Sequence, residues 1–134
     1  MPIVSGGSGG SGSAFAPTWT NFAATVTGFT GSPTVKAAYI QAGKLVIFRF
    51  QVQGTSNATT FTIGLPVAAG AWGTNGDCYT FGQGRDNTVN LTTPAMIEIV
   101  ASATSATIYK DGSFAAWTNT GTKQAYGEIM YESA

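Results

Sequence analysis

The chain reads as an all-β domain, an antiparallel two-sheet β-sandwich of jelly-roll type, carrying an extended Gly/Ser-rich arm at its N-terminus. Three observations predict this. Within 44–53, Val46, Phe48, Phe50 and Val52 share one face, while Arg49, Gln51 and Gln53 share the other, which Leu45 and Ile47 make apolar only at its start. Strand side chains alternate between faces, so this spacing cannot form one helical stripe. Thr occurs 20 times, and its β-branched, polar side chain suits the outer face of a strand. Short apolar runs are also bounded by Gly, Pro, Asn and Asp along the whole length.

Taken in order, Ser5 to Ser13 is a low-complexity arm whose composition is that of a flexible coil, or of an artificial linker. Read as native chain, it is an arm ordered by contact with another subunit. The first expected strand is Trp19–Thr27, anchored by Trp19 and Phe22. Gly28, Gly31, Ser32 and Pro33 mark a loop, and Thr34–Ile40 follows with Val35, Ala37 and Tyr39 inward. Ala42-Gly43 turns the chain into Lys44–Gln53. Gly54–Asn57 reads as a turn, and Phe61, Ile63 and Leu65 then share a face up to Pro66, which lacks a donor and closes the strand.

Residues 67–94 are the least regular stretch, with short strands expected at Cys78–Phe81 and around Val89–Leu91. Ala95–Ala101 places Ile97 and Ile99 on one face. Thr104–Lys110 meets Asp111-Gly112, the two-residue signal for a type I′ hairpin, and returns through Phe114 to Trp117. The last strand, Lys123–Glu132, turns Ala125, Gly127, Ile129 and Tyr131 one way. About nine strands and no helix in one domain of this length predict the sandwich. An immunoglobulin-type sandwich is the structural alternative. The division is 1–14 for the arm and 15–134 for the domain.

Charged residues make up only 9% of the chain, six basic and six acidic, with no net charge. Such a surface lacks the basic stripe that phosphate backbones require, so nucleic acid is not an expected partner. Near-zero net charge also removes a safeguard against self-association. Cys78 is the single cysteine and reads as a small buried hydrophobe. No apolar run approaches the ~20 residues of a membrane span, and the first residues lack a secretory signal pattern.

Histidine is absent. This removes the usual general base, the Ser-His and Cys-His arrangements and nearly every zinc site, so no enzyme, no metal and no cofactor are expected. Asp77, Asp86 and Asp111 stand in Gly/Asn-rich turns, and Glu98, Glu128 and Glu132 on strand faces, where carboxylates serve turn and surface roles. Gly82-Gln83-Gly84-Arg85 lacks the third Gly and the helix of a phosphate cradle. The candidate ligand site is the loop-rich middle, comprising Trp72, Asn75, Asp77, Tyr79, Gln83, Arg85, Asp86 and the adjoining Asn87. Aromatic faces with amides and carboxylates are the groups that bind sugars. The competing reading makes Trp72 and Tyr79 plugs at the end of the sandwich or at a subunit interface. Trp117 reads as core or interface.

The segment Phe15 to Ala69 resembles a β-sandwich domain of bacteriophage and prophage virion proteins, seen in tail-fibre heads, adsorption apparatus and small head-decoration proteins. The matching features are Pro17-Thr18-Trp19, Gly28-Phe29-Thr30-Gly31, Ala38-Tyr39-Ile40-Gln41, Gly43-Lys44, the turn Thr55 to Phe61 and Leu65-Pro66-Val67. The resemblance covers under half of the chain and rests on structural positions. It implies the fold and location in a virion assembled in the host cytoplasm. It also implies a homotrimer whose partners are other virion proteins such as capsid or tail subunits. With no long shaft ahead of the domain, the expected role is a capsid-decoration-like surface protein. Its arm would anchor it through Pro2, Ile3, Val4, Gly6, Gly9 and Gly12. The alternative is a tail-tip or tail-fibre adhesin that recognises host surface carbohydrate.

Overall fold

The alternating run around Phe48 lies at the centre of the molecule. A computed structural model describes residues 17–72 and 77–134; the arm positions named above, and Asn75, lie outside them. Among the described residues ten strands form: β1 (Thr20–Asn21), β2 (Val26–Thr27), β3 (Phe29–Ala42), β4 (Leu45–Ser56), β5 (Thr62–Gly64), β6 (Cys78–Asp86), β7 (Val89–Asn90), β8 (Ala95–Ile99), β9 (Ser105–Tyr109) and β10 (Thr122–Glu132). No helix forms among the described residues, and none is long and apolar enough to cross a membrane.

Every pairing is antiparallel, and nine strands follow one path, β1-β3-β4-β10-β6-β8-β9-β5-β2, with β7 paired to β6. Two segments make the sheet curl. The first half of β6, Cys78 to Gly82, pairs with β8, whereas Gln83 to Arg85 pair with β10. At the other side, β1 and β2 are four residues apart in sequence yet stand at opposite ends of the path. Phe22 N–H still bonds Ala37 O at 2.9 Å, and Thr25 O already accepts from Gly64 N–H at 2.8 Å. The chain from 20 to 27 therefore joins both ends of the curled sheet.

The curl encloses the core. Val46, Phe48, Phe50 and Val52 are buried as the alternation predicts, together with Phe61, Ile63, Leu65, Ile97, Ile99, Ala125, Ile129 and Tyr131. Each large apolar side chain so enclosed contributes about 1.5–3 kcal/mol. A Cβ on Gly127 of β10 would fall on Ile97 Cδ1 of β8 and close to Phe50, so Gly127 gives the two halves room to meet. Phe61 packs edge-on against Phe29, with ring centroids 4.9 Å apart, and against Trp117, 5.7 Å apart. Trp117 is core, and its Nε1 donates to Ile108 O at 2.7 Å.

Four local expectations are corrected. The first strand is not continuous from Trp19 to Thr27, because its residues divide between the two ends of the sheet. The loop expected at 28–33 is largely strand: β3 starts at Phe29, and 31–33 form a bulge between Thr30↔Thr55 and Thr34↔Gln53. A bulge is a place where Pro33, without an N–H, costs the ladder nothing. Gly54, expected in a turn, lies in β4, where its missing side chain leaves space for Phe29 and Pro33.

The type I′ hairpin is at Asn87-Thr88, not Asp111-Gly112. Asn87 (φ 46°) and Thr88 (φ 71°) both take the left-handed conformation between Asp86 and its partner Val89. At 111–114 the Asp111 carboxylate instead accepts from the Ser113 N–H at 2.8 Å and hydroxyl at 2.6 Å. Phe114, with φ 62°, lets Lys110 N–H reach Ala115 O across a four-residue loop.

Candidate functional site

The irregular middle of the sequence contains a nine-residue strand, β6, and that strand organises the surface. Gly82 and Gly84 are the reason. A Cβ on Gly82 would fall on the Tyr126 carbonyl oxygen, and one on Gly84 would press on Leu91 and Trp117. Glycine at both positions lets β6 run close to β10 while it exchanges β8 for β10 as partner. Tyr79, Phe81, Gln83 and Arg85 then alternate onto the outer face.

The expected site residues are dispersed by this geometry. Asp77 and Tyr79 meet at the start of β6, and Gln83 and Arg85 line a groove near its end. Asp86 points inward and is buried, so it is not a surface turn carboxylate. It accepts from Thr118 N–H at 3.0 Å and Thr118 Oγ1 at 2.8 Å, and pairs with Lys110 Nζ at 2.9 Å. Burial opposes its ionisation, yet the bonds from Lys110 and Thr118 outweigh burial and hold its pKa below the usual carboxylate range. Trp72 packs against the core, with its buried Nε1 lacking a partner among the described residues. Cys78 is half-buried against the core, its thiol pKa raised by burial.

The groove, about 700 Å³ in volume, is lined by polar side chains, among them Gln83, Arg85, Asn90 and Gln124, together with the apolar Leu91 and Pro94. Strand register continues the lining groups of β10, β6 and β7 into rows that reach β4 and β3 outside the groove. One row runs Thr34, Gln53, Gln124, Arg85, Asn90, and the next runs Lys36, Gln51, Tyr126, Gln83. Arg85 Nε donates to Asn90 Oδ1 at 3.1 Å. Gln124 is buried, and its amide nitrogen donates to Gln53 Oε1 at 2.9 Å and to the Tyr126 hydroxyl. Gln51, Gln53, Asn90, Gln124 and Tyr126 were not in the sequence-derived set. The outward parity of Gln51 and Gln53 is visible in the alternation of β4, but their partners on β10 and β6 depend on the register.

The other half of β6 carries an aromatic surface. Tyr79, Phe81 and Phe114 are exposed, Phe81 by 61%. Phe114 stands edge-on to Tyr109 at 5.1 Å and to Tyr79 at 6.3 Å between centroids. Glu98 ties the cluster together. Its Oε2 accepts from the Tyr109 hydroxyl at 2.9 Å, and the Tyr79 hydroxyl lies 3.0 Å from its Oε1 and 3.1 Å from Asp77 Oδ2. The hydrogen bond to Glu98 is the largest influence pushing the Tyr79 pKa up to about 12. At neutral pH both tyrosines are neutral donors.

A further residue has no outward role but organises the interior. Lys123 lies on the inward face of β10 with Ala125, Gly127, Ile129 and Tyr131, fully buried. Its Nζ donates to Ala58 O at 2.8 Å, Gly28 O at 3.0 Å and Thr60 O at 3.2 Å, among the rings of Phe29, Phe61 and Trp117. Three ammonium hydrogens meet three carbonyls. Among the described residues no group of three or more Cys, Asp and Glu side chains is placed to hold a metal ion. Compared with protein-family models and with curated proteins, the chain matches none.

Proposed function

We propose that this protein is a non-enzymatic surface component of a bacteriophage particle, a two-layered β-sandwich of jelly-roll type acting through contact. The resemblance of Phe15 to Ala69 supports the particle context. The observation that carries a structural role is the outward cluster of Tyr79, Phe81 and Phe114, apolar surface on a domain poor in charge. Large exposed aromatics in one patch characterise surfaces that other proteins cover. In this reading the domain is a homotrimer seated on capsid or tail subunits, anchored by residues 1–14. Sedimentation of the full chain should give a trimer, and Phe81→Ser with Phe114→Ser should give a folded monomer. A monomeric unmodified protein at micromolar concentration defeats the trimer. Deleting 1–14 should abolish attachment to particles while the domain stays folded; normal incorporation of the truncated protein refutes the anchoring role.

A second reading, adhesion to host surface carbohydrate, is favoured by the groove. Its amides and the Tyr126 ring are placed on strands rather than mobile loops, and rigid placement lowers the ordering cost of binding. A glycan array probed with the full chain tests it: reproducible binding supports adhesion, and a blank array removes it.

A further inference from the structure

We infer that the groove beside Arg85 binds an acidic saccharide, a short oligosaccharide whose sugar carries a carboxylate. This rests on the adhesive reading and names the ligand class of that same groove. Among the described residues Arg85 is the one charged side chain lining it. On a chain with zero net charge, this concavity holds a cation and no carboxylate among its described lining residues, while the other walls are amides, hydroxyls, backbone, a phenol ring and the apolar Leu91 and Pro94. A neutral ligand would leave that charge without a partner when it displaced water. A carboxylate supplies the partner and matches the planar fork of a guanidinium.

The arginine is also held in place. It lies in β6 paired on both sides, Gln124 on β10 and Asn90 on β7, and its Nε is engaged by Asn90 Oδ1. Among the described residues no side chain engages its two terminal nitrogens, which are donors for an incoming carboxylate. Around it, Gln83 and Thr92 offer hydrogen bonds to sugar hydroxyls, and the partly exposed Tyr126 ring offers an apolar face of the kind sugar rings stack on. Tyr126 is itself oriented by the buried Gln124. The volume falls within the range of small-ligand sites. A single cation is far short of what a polyphosphate backbone requires.

The test is a titration of the full chain, followed by amide NMR and calorimetry, with trigalacturonic acid and its methyl ester, which differ in charge but little in shape. The acid should bind at least tenfold more tightly and shift the amides of Gln83, Arg85 and Tyr126, and added salt should weaken it. Arg85→Gln should reduce the acid to the level of the ester, and sialyllactose against lactose should repeat the preference. Equal binding of acid and ester by the unmodified protein overturns the inference while leaving adhesion standing, and this comparison needs no variant. Retained preference in Arg85→Gln overturns it as well. If neither these sugars nor a broad glycan array bind, the adhesive reading falls with it.

Discussion

The carbonyl oxygen of Gly28 accepts a hydrogen bond from Lys123 Nζ at 3.0 Å, joining the turn before β3 to the interior of β10. The same glycine has φ +92°, and a Cβ there would fall on the Thr60 carbonyl oxygen, itself a Lys123 acceptor. Lys123 thus holds together two connections, β2–β3 and β4–β5: Gly28 O also accepts from Asn57 N–H and Ala58 O from Ser56 Oγ, each at 3.2 Å, so Thr60 O is the acceptor for which Lys123 is the sole donor among the described residues. A buried carbonyl left unpaired costs about 1–3 kcal/mol. Lys123→Met, similar in length but without donors, leaves Thr60 O unpaired and should destabilise the protein by about 1–3 kcal/mol. Urea unfolding followed by tryptophan fluorescence measures this, and a change below about 1 kcal/mol would show that the carbonyls find other partners.

Burial lowers the pKa of Lys123 to about 8, from an ordinary lysine value of 10.5. Between those values the unfolded chain holds a proton that the folded protein has released, so stability should rise with pH from about 8 towards 10. Tyr131 acts oppositely. Burial raises its hydroxyl pKa to about 12, so above pH 10 the unfolded chain ionises first and stability should fall. Urea midpoints across this range should pass through a maximum, and Lys123→Met should lose the rising limb alone.

Asp86 gives an acid-side prediction. Its pKa is held low in the folded state, so its contribution is complete above the ordinary carboxylate pKa and disappears as pH falls through the folded value. Asp86→Asn removes the charge from the bonds with Lys110 and Thr118 and should cost about 1.5–3 kcal/mol at neutral pH. The difference between the two proteins should shrink below pH 4. A gap that persists unchanged at pH 2 would mean that packing, not charge, separates them.

Thr88 is a β-branched residue at φ 71°, in the second position of a type I′ turn. Thr88→Gly relieves that conformation, and the gain exceeds the added entropy of the unfolded chain by about 0.5–1 kcal/mol. The N–H to Thr122 O bond is retained. A thermal midpoint that stays level or falls would show that Thr88 makes a compensating contact.

Gly82→Ala places a methyl group against the Tyr126 carbonyl where β6 changes partner. It should cost about 1–3 kcal/mol and widen the groove beside Arg85. Gly112→Ala is the control, because a Cβ there meets only the edge of Phe81 at 3.6 Å. Equal midpoints for the two variants would contradict the close approach of β6 to β10.

Which side chains of β4, β5, β8 and β10 face inward can be read from residue order alone. Alternation is a property of the extended backbone and needs no knowledge of neighbours, so Phe48, Ile63, Ile97 and Ile129 were all legible. It also disclosed Gln51 and Gln53 as outward groups and the polarity of the surface. That the Gly82-Gln83-Gly84-Arg85 segment is a strand emerges from the fold and not from residue order, since its glycines are explained by the nearby Tyr126 carbonyl and Trp117 ring rather than by a loop. The fold alone assembled the groove, whose rows bring β7 and β10 to either side of Arg85. Lys123 shows the same limit. Its inward parity was readable, but the acceptors that make an enclosed ammonium tolerable lie 63 to 95 residues away in sequence. Facing is decided within a strand, whereas hydrogen-bond partners depend on which distant strands and turns the curled sheet brings together.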